Sequence, residues 1–187
     1  RWKDVPDDVQ RKAEDLLGDW FGSVLAGQNA RPVQSITRFA LSQGPRVGEC
    51  EVIGQSATTS PMMAAMANAA ASHVAEQDDV HNGSVFHPAA VVFPPAVAVA
   101  QALGKSGKEL LTACVAGYEV GIRVGEFLGR SHYKIFHTTG TAGTLNGLEA
   151  MRILPATTGL ESFFGIGDWF TAGANPTERL DVLDGKV

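Results

Sequence analysis

Two short segments hold most of the side chains that could do chemistry. The first is Glu76-Gln77-Asp78-Asp79-Val80-His81, followed by Ser84 and His87. The second, residues 132–144, reads His-Tyr-Lys-Ile-Phe-His and then Thr-Thr-Gly-Thr-Ala-Gly-Thr. Four of the five histidines, residues 81, 87, 132 and 137, fall in them. Imidazoles beside carboxylates suit proton transfer near neutral pH. Adjacent carboxylates point in different directions in most backbones, so Asp78 and Asp79 need not form a dyad. They sit after a helical stretch, where the dipole disfavours negative charge, and such a placement hints at function. A solvated acidic turn is the plainer alternative.

His87 precedes Pro88, which biases it towards extended backbone at a helix entrance. There it either rims a pocket or packs against one hydrogen-bond partner. His137 leads into hydroxyls and glycines at a possible helix start, an arrangement able to hold a carboxylate. The alternative is a small-residue turn that lets helices approach. Asp78, Asp79, His81 and His87 can also be drawn as a metal cluster, but no His-Glu-x-x-His or Cys-x-x-Cys spacing supports one. His73 lies within an alanine-rich helix and reads as a core histidine. His132 and Lys134 read as surface residues. Residues 138–144 lack the lysine of a phosphate-binding loop, and Gly165-Ile166-Gly167 is no dinucleotide fingerprint.

The elements that must carry these segments are helical. Val9, Ala13, Leu16, Leu17, Trp20, Phe21, Val24 and Leu25 recur at helical spacing, with Pro6 in the first turn and Gly27 as a stop. A second helix is predicted from about Pro32 to Ser42, ending at Gly44-Pro45. Residues 47–56 alternate weakly and suit a short extended piece. A third helix starts at Ser60-Pro61 and runs to about Glu76. Residues 89–100 carry no charge but are too short for a membrane span, which takes about 20 residues, so they form a buried core helix. Ser106 and Glu109 make a capping box for a further helix. That helix carries Gly117, Gly121 and Gly125 on one side, implying a close neighbour. Glu119 and Arg123 are spaced as an ordinary ion pair. Short helices are expected around residues 145–152, 162–170 and 177–183.

The bulk properties exclude several classes. The chain of 187 residues is 44% apolar, enough for a core, with a net charge of −5 and a pI near 5.5. Such a balance offers no footprint for nucleic acid or an anionic membrane. Two cysteines cannot build a disulfide framework, and the first residues lack a secretory leader pattern. A cytoplasmic location is the expectation.

Together these segments resemble the MmgE/PrpD family. The matching landmarks are Asp78-Asp79, His87-Pro88, the alanine-rich helix, Gly117-Tyr118-Glu119-Val120 and His137-Thr138 before a glycine-rich turn, with residues 2–27 similar to the family's start. The match covers residues 1–144 as the core of a helical domain and is poor over 145–187. Leu145-Asn146-Gly147-Leu148 looks like a later part of that domain, as though a stretch bearing an active-site lysine were missing. The resemblance implies an all-α fold without the family's lid domain, which this chain is too short to include. If the protein ends at Val187, no dehydratase turnover is expected.

The resemblance also implies a cofactor-independent lyase of the 2-methylcitrate dehydratase type, acting on a small polycarboxylate. The same site would serve decarboxylation or epimerisation. His87 and His137 are then the acid–base residues, and Asp78 or Asp79 tunes a histidine. His81, Ser84, Lys134, Thr138, Thr139 and Gly140 bind substrate, with Arg123 a further source of charge. No metal is required, so chelators should leave activity unchanged, and a group should titrate at about 6–7. Helices apolar on most sides and the resemblance both favour a homodimer. The competing reading is a non-catalytic helical module for oligomerisation, built on the glycine stripe. It should tolerate loss of His87 and His137, whereas an enzyme should not.

Overall fold

Apolar spacing in the first third of the chain produces two amphipathic helices. α1 (Asp7–Gly27) starts behind Pro6, with Asp7 and Asp8 at the positive end of its dipole. α2 (Arg31–Gln43) carries Pro32 in its first turn, where a missing N–H costs nothing. A small antiparallel ribbon follows, β1 (Cys50–Val52) against β2 (Ala57–Thr59), with Cys50 opposite Thr59. Then come α3 (Pro61–His73), α4 (Ala89–Ala102) and α5 (Gly107–His132). Helical turns begin again at residue 138. The computed structural model describes residues 1–143. The helices expected around 145–152, 162–170 and 177–183, and the whole remainder 145–187, lie outside the described residues.

The all-α expectation holds, with the ribbon as its one small addition among the described residues. The weak alternation predicted over 47–56 is realised as two three-residue strands, the second ending at Thr59. Asn68 of α3 fastens the ribbon: its side chain accepts from Ile53 N–H and donates to the Glu51 carbonyl, both at 3.0 Å.

α4 is the centre of the core, as its lack of charge requires. Val92, Phe93, Ala96 and Val99 are at most 1% exposed. They meet Trp20 and Val24 of α1, Ala71 of α3, and Ala113 and Cys114 of α5. The Trp20 and Phe93 rings lie 5.5 Å apart, and those of Phe93 and Tyr118 5.7 Å apart, edge to face. Each large side chain buried this way contributes about 1.5–3 kcal/mol. Pro94 and Pro95 sit inside α4 without ending it. No helix among the described residues is long and apolar enough to cross a membrane.

Two expectations about helix ends are corrected, and one break is added. Gly27 is the last residue of α1 rather than a stop beyond it, and it is glycine because a Cβ there would overlap the Ala71 carbonyl oxygen of α3. α3 ends at His73, short of Glu76, because Glu76 adopts a left-handed backbone with φ 49°. α5 is broken at Gly129, where φ is 71° and ψ 167°. The capping box forms as predicted, with Glu109 N–H donating to Ser106 Oγ at 3.3 Å and Ser106 N–H to Glu109 Oε2 at 3.0 Å. The three stripe glycines are buried. At Gly125 the close neighbour is the loop residue Ser84, whose Cβ would stand 2.6 Å from an added Cβ.

Candidate active site

The early end of α3 determines how the site is built. The left-handed turn at Glu76 sends the chain back under its own helix, so that Asp78 meets His73. His73 Nδ1 lies 2.9 Å from Asp78 Oδ2, and the Asp78 side chain is fully buried. A narrow loop closed by a bridge between His81 and Phe86 then delivers His87. Val85 in that loop has φ 51°, a strained conformation for a β-branched residue. His87 Nδ1 reaches within 3.7 Å of the same Asp78 oxygen, too far for a hydrogen bond.

His137 arrives from the far end of α5, immediately before the helical turns at 138. Its ring centroid lies 5.8 Å from that of His73 and 6.2 Å from that of His87, roughly parallel to the latter. The His73 and His87 rings are 5.0 Å apart. Three imidazoles therefore surround one buried carboxylate, and His137 forms the solvent-facing side. The two histidine segments are joined directly, because Thr139 Oγ1 accepts the His87 backbone N–H at 3.1 Å.

Asp79 faces elsewhere. Its Oδ1 accepts from Ala89 N–H, the first residue of α4, and its Oδ2 from the Tyr118 hydroxyl, both at 2.9 Å. It caps one helix and ties it to another, and burial raises its pKa above the usual carboxylate range. Burial likewise pushes the Tyr118 hydroxyl far up, so it stays a donor.

Of the expected substrate-binding set, His81 and Ser84 bond to each other, Nδ1 to Oγ at 2.8 Å, and His81 Nε2 lies 3.9 Å from Glu126. Thr138 is buried and its hydroxyl has no hydrogen-bond partner. Thr139 accepts the His87 backbone N–H through its hydroxyl. The Gly140 N–H donates to the His137 carbonyl at 3.0 Å, so it is engaged by its own helix. Lys134 is exposed, in the turn after α5. Arg123 pairs with Glu119, as its spacing predicted. His132 stacks on Phe136 and bonds Thr141.

The residue missed in the sequence is His73. It is partly exposed, not a core histidine, and its signal was a position five residues before Asp78 at a helix end. It also revises the metal drawing. Asp79 and His81 turn away, while His73, Asp78 and His87 offer ligand atoms within 4.8 Å of one another.

The electrostatics separate the histidines. The hydrogen bond to Asp78 raises the His73 pKa above 6.5, with burial opposing it. Burial, and then the like charges of His73 and His87, lower that of His137. His73 is thus biased towards its protonated form and His137 towards its neutral form. Among the described residues, a cleft of about 330 Å³ between α1 and α5 has Val9, Leu16, Phe93 and Tyr118 in its wall and none of these histidines. The chemical arrangement is the better guide to function, because that cleft is lined mainly by apolar side chains.

Comparison with known proteins gives a consistent picture. The MmgE/PrpD N-terminal domain matches residues 1–151. A cis-aconitate decarboxylase of Aspergillus terreus is 30% identical over 128 residues, covering 66% of this chain and 26% of that protein. The cis-aconitate decarboxylase-like protein oryM of Aspergillus oryzae is 33% identical over 129 residues, covering 65% and 27%. The chain spans about a quarter of the length of these curated relatives.

Proposed function

This chain belongs to the MmgE/PrpD family, and from that membership we propose that it carries the acid–base residues of a cofactor-independent lyase acting on a small polycarboxylate. The observation that supports this is the meeting of His73, His87 and His137 around the buried Asp78 carboxylate. The relatives named cis-aconitate decarboxylase put decarboxylation of cis-aconitate first among the reactions to test. Dehydration of 2-methylcitrate comes second.

In a decarboxylation the carbon–carbon bond to the departing carboxylate breaks, its electron pair stays on carbon, and a protonated imidazole delivers the proton that replaces CO2. In a dehydration one imidazole removes a proton α to a carboxylate, and a second protonates the hydroxyl that leaves as water. His87 and His137 are the catalytic pair in both. Asp78 favours the protonated form of His73, which would place positive charge beside the carboxylate onto which the charge of the neighbouring carbanion spreads. Thr139 has a positioning role, holding the His87 backbone N–H.

The test is turnover of cis-aconitate by the full-length protein, followed as CO2 release. His87→Ala and His137→Ala are each expected to lower it by about 10²–10⁴-fold, with the circular dichroism spectrum unchanged. Variants that fold and turn over normally would remove the assignment. The proposal includes a cytoplasmic homodimer. Phe127 and Ile135, 86% and 79% exposed, are apolar side chains such an interface would cover. A monomer by light scattering across a wide concentration range would remove that part.

A further inference from the structure

We propose that His73, Asp78 and His87 form a Zn²⁺ site, and that the ion, once bound, blocks the lyase by occupying the nitrogens that would exchange protons. The binding half stands on geometry alone, and the blocking half rests on the function proposed above. Two imidazoles and one carboxylate are a donor set that zinc takes at sites with an open position. Tetrahedral zinc with bonds of about 2.0–2.1 Å holds neighbouring ligand atoms about 3.3 Å apart. The two distances from Asp78 Oδ2, 2.9 Å to His73 Nδ1 and 3.7 Å to His87 Nδ1, lie on either side of that value. All three ligand atoms lie within 4.8 Å, so small side-chain rotations bring them onto one ion.

A second observation is independent of spacing. His87 Nδ1 and Asp78 Oδ1 are both buried and, among the described residues, have no hydrogen-bond partner. Each buried polar atom left unpaired costs about 1–3 kcal/mol; a cation held by His87 Nδ1 and Asp78 Oδ2 would satisfy the nitrogen directly, and Oδ1 as well where the carboxylate binds through both oxygens. His73 is also the last residue of α3, so the ion would sit at the negative end of that helix dipole. The three protein ligands leave a fourth position for water.

The experiment is calorimetric titration of the chelator-stripped full-length protein with zinc chloride, in parallel with turnover of cis-aconitate. Saturable binding of one zinc per chain is expected. It should weaken tenfold or more in His73→Ala and in Asp78→Asn, and remain unchanged in His132→Ala, which alters a surface histidine. Should His73→Ala fail to fold by circular dichroism, His87→Gln, on a different segment, reads the same contact. No saturable binding at micromolar zinc, or equal binding by folded site variants, overturns the site. Turnover should fall as zinc saturates and return on adding chelator. Binding without inhibition overturns the block while leaving the site. Activity lost on chelation and restored by zinc keeps the site and overturns cofactor-independent catalysis. Because the titration does not depend on turnover, an inactive protein that binds zinc refutes the lyase and not the site.

Discussion

The Asp79 carboxylate ends on two donors, the Ala89 N–H and the Tyr118 hydroxyl, each at 2.9 Å. One residue earlier, the Asp78 carboxylate keeps one oxygen unpartnered and turns the other towards two histidines. Both acids are largely shielded from water and follow the same left-handed turn, yet they solve opposite problems. At Asp79 every lone pair that matters joins α4 to α5, and the corner is closed. At Asp78 hydrogen-bonding capacity is left over, and the corner opens through His137 to solvent. Buried polar groups in a structural role are normally satisfied, so an unsatisfied one beside titratable rings marks where a ligand or a proton is meant to go.

The largest effect that would sharpen this contrast is on turnover. Asp78→Asn should lower it by about 10²–10⁴-fold, since His73 loses the charge that keeps it protonated. Asp79→Asn can still accept from Ala89 and should change turnover far less. Equal losses in the two variants would break the comparison.

The next effect is on stability and runs the other way. Asp79→Ala leaves the Ala89 N–H and the Tyr118 hydroxyl unpaired and should cost about 2–4 kcal/mol in urea unfolding. Asp78→Ala removes an already half-satisfied group and should cost less. The reverse order would mean that the open corner is the structural one.

A smaller signature lies in pH. His73 has its pKa raised above 6.5 in the folded protein. Its pairing with Asp78 therefore stabilises fully below pH 6.5, and this contribution is lost as pH rises through the folded value. The His73 ring is partly exposed, so the amplitude should be modest. Unfolding midpoints of the native protein and Asp78→Asn, compared between pH 5.5 and 8.5, should converge as pH rises; a constant difference would count against the pairing. The smallest effect is expected at an exposed control. The capping box holds Glu109 well below the carboxylate range, at about 2. Its stabilisation is present above pH 4.5 and fades as pH falls towards 2, and Ser106→Ala should weaken that acid dependence without altering turnover.

What the sequence revealed and what it hid follow from the range of the forces. α1, α2 and the start of α5 are legible because periodicity, prolines and the Ser106–Glu109 box act within a few residues. The burial of α4 is legible because an uncharged stretch has nowhere else to go. His87, His137 and Asp78 are legible as members of an ordered set of motifs. The capping role of Asp79 was hidden because its donors come from Ala89 and from Tyr118, 39 residues on. His73 was hidden for a related reason. Whether it faces the core or the site depends on where α3 stops, and α3 stops at His73, ahead of a left-handed Glu76 that no residue type announces. The strained Val85 is equally silent in the sequence, since valine is a residue that local preference would keep out of that conformation.

The Thr139 hydroxyl on the His87 amide has a consequence for the order in which the molecule is made. That bond closes a loop of 52 residues containing all of α4 and α5. Closing a long loop is entropically unfavourable until the elements within it have packed. Helices α1 to α4 can thus assemble as the chain emerges during synthesis, while the His87 and His137 imidazoles meet only after α5 has docked. Competence is acquired last, and a nascent chain halted before residue 137 would hold the core without the chemistry.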